Sequence, residues 1–180
     1  YYRGYKEAVK KGLSPESVMG TGRKQAFIID LILRFLHQFS DSKKFGTSIN
    51  EPGVKFGDGS HVSNDIIIYD LADEGKMFID EYFDFPPKIA IEVDTKAELR
   101  DLDWWADYYN VKTRRLLDFG VEKVIWVFTN IRKIQVATRG ERWYVVDWDE
   151  NIEILPGCEL NLKRLLEERG IDMEEKFPLI

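Results

Sequence analysis

From Gln25 to Phe39 the chain is apolar with few interruptions, which predicts a helix buried on nearly all sides rather than one lying on a surface. Asp30 and Arg34 break that run at a spacing of four residues, the separation of an ion pair along one helix face. Gly46 to Gly59 carries turn residues around short extended pieces. Asp65 to Tyr69 is rich in β-branched residues and predicts an interior strand. Leu71 to Phe85 then connects to Pro86-Pro87, and Lys88 to Asp94 alternates strictly. Ile89, Ile91 and Val93 share one side of this strand, while Ala90, Glu92 and Asp94 share the other. A long helix is predicted from Glu98 to Phe119, closed by Gly120 as its C-cap. Val121 to Thr129, Lys133 to Thr138 and Trp143 to Asp147 read as strands, the last two a hairpin about Arg139-Gly140, and Leu160 to Arg169 reads as a closing helix. This order of elements predicts an α/β fold, a mixed sheet with helices packed on it.

The length of 180 residues, without repeat or linker, fits one domain over 1–180. Lys and Arg number 26 against 32 Asp and Glu, a net charge of −6, which argues against a broadly basic coat for duplex binding but leaves room for a local basic groove. The single cysteine, Cys158, excludes an intramolecular disulfide and Cys-rich zinc sites, and fits a reducing compartment. Ala26 to Leu36, the longest apolar stretch, falls short of the ~20 residues that span a bilayer. Tyr1 to Lys11 holds no apolar signal core. A cytoplasmic location without a membrane partner is therefore the expectation. No phosphate-binding glycine loop and no Gly-x-Ser-x-Gly elbow occurs, so neither a nucleoside triphosphatase nor a serine hydrolase is supported.

The candidate chemistry lies between the strands. Asp65 opens one strand and Glu92 stands near the end of the next. If the two pair antiparallel, the carboxylates meet at one end of the sheet and repel unless something positive lies between them. A divalent cation would serve, and oxygen ligands favour a hard ion such as magnesium or manganese. On the long helix, Leu102, Trp105, Tyr109, Lys112, Leu116 and Phe119 follow a three-four spacing and share one face. Lys112 in the middle of that stripe needs a carboxylate partner or a route to water, and the Asp65/Glu92 cluster would supply the first. The plainer alternative is a structural ion pair between Glu92 and Lys112.

Three stretches carry a resemblance: Asn64-Asp65; Pro86-Pro87 running through Ile91-Glu92-Val93; and Lys112 followed eight residues later by Gly120-Val121, with Trp126 beyond. Together they are similar to the Uma-type restriction endonuclease family of the PD-(D/E)XK nuclease superfamily, over roughly Gly20 to Leu165. The resemblance implies a restriction-endonuclease-like fold and a magnesium- or manganese-dependent endonuclease acting on nucleic acid, DNA before RNA. Asp65 and Glu92 would be its metal ligands, helped by the Val93 carbonyl, and Lys112 its catalytic lysine. Gln25 is a further candidate facing the site, and a homodimer would suit cutting of both strands.

The chain also departs from the family pattern. Asn64 replaces a proline, and Asp94 stands where the superfamily's lysine usually lies. Lys96 competes with Lys112, which is favoured for its helical position and the downstream Gly-Val. Arg114-Arg115 is the better candidate for phosphate contacts, ahead of Lys10-Lys11 and Arg23-Lys24. Trp104, Trp105, Tyr108 and Tyr109 read as core before base-stacking platform. His37 and His61 lack metal-ligand spacing. A shared fold can also persist without activity, so a binding or assembly module built on an inert ion-pair cluster is the competing reading.

Overall fold

The computed structural model describes Gly12 and residues 22–94 and 102–172, with side chains of the last segment from Tyr108 onward. Helix α1 (Arg23–Phe39) leads into the strands β1 (Phe45–Ile49), β2 (Gly53–Lys55), β3 (His61–Ser63) and β4 (Ile66–Asp70). A 3-10 turn (Leu71–Lys76) and an extended loop then reach β5 (Ile89–Asp94). Helix α2 (Leu102–Phe119) crosses to β6 (Lys123–Phe128), and β7 (Lys133–Thr138) and β8 (Tyr144–Asp147) follow as a meander. A small hairpin of β9 (Ile152–Leu155) and β10 (Cys158–Leu160) and the short helix α3 (Leu162–Glu167) complete the described chain.

Six strands form the central sheet in the order β1-β4-β5-β6-β7-β8. Only β5 and β6 run parallel, because α2 carries the chain back across the sheet between them. The other neighbours are antiparallel. Mixed pairing of this kind matches the α/β expectation.

The strict alternation of β5 sends its two sides into two separate cores. Ile89, Ile91 and Val93 join Ile66, Ile68, Ile125, Val127, Ile134 and Val136 beneath α1 and α3. Ala90 joins Ile67, Val124 and Ala137 beneath α2, where Leu116, Leu117, Val121, Val54, Phe56 and Phe83 close the layer. Helix α1 is more one-sided than its composition predicts. Its buried residues are Ile28, Leu31, Ile32, Phe35 and Leu36, a single stripe, while Phe27 and Phe39 are exposed. The reason is geometric: a helix laid on one face of a sheet can bury only the side it turns toward that sheet. Asp30 and Arg34 pair at 2.8 Å on its outer side, as their spacing predicts.

The end of α2 is fixed by Gly120. Its φ of +123° lies where residues with a side chain are strained, and an added Cβ would approach Pro86 to 3.0 Å. The Gly120 N–H bonds the Leu117 carbonyl and the Val121 N–H bonds the Leu116 carbonyl, a Schellman closure. This pins α2 lengthwise against the Pro86 loop that feeds β5, and so sets where Lys112 stands along the strand. No described helix is long and apolar enough to cross a membrane.

Candidate active site

The pairing of β4 with β5 brings the two predicted carboxylates together. Ile66 lies opposite Ile91, Ile67 opposite Ala90 and Ile68 opposite Ile89. Continued by one residue, that register sets Asp65 opposite Glu92. Asp65 lies immediately ahead of β4 rather than inside it, so its backbone is released from the ladder at the point where its side chain is used. Its Oδ2 accepts a 2.7 Å hydrogen bond from the Val93 N–H, which ties the carboxylate to the backbone next to Glu92. Gln25, in the first turn of α1, reaches the same carboxylate through Nε2 at 3.3 Å. The first helix thus contributes to the site from the opposite face of the sheet.

Lys112 arrives from α2. Its Nζ stands 2.8 Å from Glu92 Oε1 and donates at 2.6 Å to the Ser63 carbonyl, just before Asp65. Both partners of the ion pair are buried, Lys112 at 5% exposure and Glu92 at 8%. The ammonium also lies 5.4 Å from the centre of the Trp126 ring. Asp65, Glu92 and Lys112 therefore occupy one place, as the sequence predicts.

Two further carboxylates, Asp65 and Asp94, act on Glu92 beside the single ammonium of Lys112. The Glu92 carboxyl is raised to about 7, chiefly by burial, with Lys112 opposing the rise and Asp65 and Asp94 adding to it. Burial likewise raises Asp65 above the usual carboxylate range, against the pull of the Val93 N–H, Lys112 and Gln25. One ammonium does not balance this group. An all-oxygen donor set short of positive charge is chemically suited to a hard divalent cation. Among the described residues no set of three or more His, Cys, Asp or Glu donors is gathered. A pair of carboxylates is the small protein contribution that suits magnesium, which keeps several of its waters.

The other sequence candidates separate. Lys96, Lys10-Lys11 and the side chains of Trp104 and Trp105 lie outside the described residues. Arg115 is held by the segment between β2 and β3. It pairs with Asp58 at 2.8 Å and lies over the Phe56 ring, which anchors the turn between β2 and β3. His37 meets the Thr47 hydroxyl, and His61 stacks on Tyr82. Tyr109 packs edge-on against Trp126 and Phe128, a core role, whereas Tyr108 is exposed. Asn64, where the resemblance expects a proline, is buried, and its backbone and side-chain amide groups both bond the Pro52 carbonyl. It thereby ties the approach to Asp65 to the start of β2 by hydrogen bonds instead of ring stiffness. Sequence reasoning missed the Ser63 carbonyl and the indole beneath Lys112. A backbone carbonyl has no side-chain signature, and a tryptophan in an apolar strand reads like any other core aromatic.

A solved structure from Anabaena variabilis, described as "a putative nuclease belonging to DUF820", is similar over 83% of each chain, with a TM-score of 0.66 and 15% sequence identity. At that identity the likeness is one of fold, and the nuclease-like mixed sheet with flanking helices expected from the Uma-type resemblance is the fold observed. No protein-family model matches the chain, and no curated protein is similar to it.

Proposed function

We propose that this chain is an endonuclease that hydrolyses phosphodiester bonds of nucleic acid, preferably DNA, with magnesium or manganese held by Asp65 and Glu92. One observation carries the reading: the antiparallel register of β4 and β5 sets the half-buried Asp65 carboxylate beside the buried one of Glu92, and α2 delivers a lysine 2.8 Å from the latter. The fold shared with a protein described as a putative nuclease supports it. When bound, the cation would polarise the scissile phosphate and lower the pKa of a bound water. The chain's own contribution is placement. The Val93 N–H and Gln25 orient Asp65, and the Ser63 carbonyl and Glu92 hold the Lys112 ammonium where it can orient a nucleophile or stabilise phosphate charge. Two copies related by symmetry would suit cutting of both strands, and the cytoplasm suits a chain with one buried thiol.

A rival reading has its own support. The Lys112–Glu92 pair is closed and buried, as in a purely structural cluster, which fits a binding or assembly module. Metal-dependent stability separates the two. Under the nuclease reading, magnesium or manganese raises the melting temperature of the wild type but not of Asp65→Ala or Glu92→Ala. Plasmid nicking disappears in both variants. A wild type indifferent to both metals, or nicking that survives Glu92→Ala, would rule out the assignment.

A further inference from the structure

Trp126 does more than fill the core. It pairs with Glu92 across the parallel β5–β6 ladder, so its ring stands beside the carboxylate in the next strand. That ring is only 3% exposed. It is fixed on three sides: it lies nearly parallel to Phe128, with planes 10° apart and centroids 6.1 Å apart, and it meets Tyr109 edge-on at 6.0 Å. Its indole N–H donates to the Thr113 hydroxyl at 2.8 Å. Thr113 follows Lys112 in α2 and is fully buried. Two successive residues of the helix therefore meet one indole, Thr113 at its nitrogen and Lys112 over its face, with the ammonium 5.4 Å from the ring centre.

A lysine ammonium is a point charge on a flexible four-carbon stem, with three donors and no preferred plane. Glu92 and the Ser63 carbonyl take two of its directions. Those two contacts use two of its three donors, and Asp65 and Asp94 are further negative charges close enough to act on Glu92. The negative face of a desolvated indole restrains a third side of the cation. We propose that Trp126, held at a fixed tilt by Thr113, is a positioning residue that confines the Lys112 ammonium to Glu92 and the Ser63 carbonyl. This rests on the nuclease reading for its consequence in catalysis, but not for the contact itself.

The contact has a spectroscopic mark. A ring current shifts the ε-protons of Lys112 upfield, and carbon-13-labelled lysine makes them visible, with the resonance assigned by its loss in Lys112→Arg. The shift is expected to vanish in Trp126→Leu, to survive in part in Trp126→Phe, and to shrink in Thr113→Val, which frees the indole. With manganese present, single-turnover nicking should slow about tenfold in Trp126→Leu, while metal affinity measured by titration stays within about twofold of wild type. Placing tetrafluorotryptophan at 126 keeps the size and the N–H donor but weakens the negative face. It should slow nicking several-fold, and it carries the test with Thr113→Val if Trp126→Leu does not fold. An unchanged ε-proton shift in Trp126→Leu or Thr113→Val, or wild-type nicking by the fluorinated protein, overturns the proposal. A wild type that nicks nothing defeats the nuclease reading alone, and the resonance still decides whether the indole restrains the ammonium.

Discussion

The two faces of the central sheet are built from the same strands and are used in opposite ways. Beneath α1 and α3 the strand positions Ile66, Ile68, Ile89, Ile91, Val93, Ile125, Val127, Ile134 and Val136 are all buried and apolar. Beneath α2 an apolar cluster that includes Ala90 and Ala137 also holds buried Glu92 and Gln135 from the strands and Lys112 and Thr113 from the helix. Strand β5 belongs to both, with Ile91 on one side and Glu92 next to it on the other. The dry face supplies stability by burial, at about 25 cal/mol per Å² of apolar surface. The α2 face keeps buried polar groups whose desolvation works against stability. Such groups persist where their arrangement is of use. A sheet anchored firmly on one side can hold charged side chains in place on the other.

The comparison breaks most visibly at Glu92. Removing its carboxylate in Glu92→Ala leaves Lys112 buried without its ion-pair partner, a loss of about 3–5 kcal/mol by the behaviour of broken buried pairs. Nicking and the metal-induced rise in melting temperature should go with it. One position away, Ile91→Ala creates a cavity in the dry core and should cost about 2–5 kcal/mol. Its effect on function should be different in kind: below its melting temperature the variant should bind metal with wild-type affinity. Denaturant unfolding and metal titration of both proteins read the contrast directly. If Ile91→Ala weakens metal binding as much as Glu92→Ala, the two faces are not separate in the way described.

Proton uptake sharpens the same contrast. Glu92 is raised from an ordinary carboxylate value to about 7 in the folded protein, chiefly by burial. Between the unfolded value and about 7 the native state therefore binds more protons than the unfolded state. Stability conferred by this group is fully present below the unfolded pKa and is lost as pH rises through about 7. The expected loss is a few kcal/mol at most, flattening above that range. Glu92→Gln, which cannot titrate, should remove this part of the slope, whereas Ile91→Ala should lower the curve without changing its shape. Urea unfolding at a series of pH values measures both. Metal affinity should move the opposite way and rise with pH through the same window, because the cation needs the ionised carboxylate.

How much of this is legible in the sequence differs between the faces for physical reasons. Strict alternation in β5 and the β-branched run of β4 fix which residues share a face, so the meeting of Asp65 with Glu92 follows once the strands are taken as antiparallel neighbours. Lys112 is legible because a charge on an apolar helical stripe needs a partner. The sidedness of α1 is not, since Phe27 and Phe39 are as apolar as the residues that are buried, and only the position of the sheet decides between them. The β9–β10 hairpin leaves little trace because its strands are short, although Gly157 at a φ of +75° marks its turn. Arg115 lies close to Lys112 in sequence, and its partner Asp58, in the turn between β2 and β3, has no sequence pattern that pairs it with α2.

The smallest expected effect is the most discriminating. Replacing both members of the buried pair, Glu92→Gln with Lys112→Met, removes the two charges together and leaves side chains of similar volume. Breaking the pair from one side leaves a charge without compensation, but removing it whole also removes the desolvation it imposed, and such double replacements tend toward neutrality. The double variant should therefore unfold within about 1 kcal/mol of wild type, while each single replacement costs more. If the cluster serves a reaction, this near-neutral protein should have lost all nicking. A double variant as unstable as Glu92→Ala would instead mean that the pair holds the sheet and helix together, and the division between an anchoring face and a working face would no longer stand.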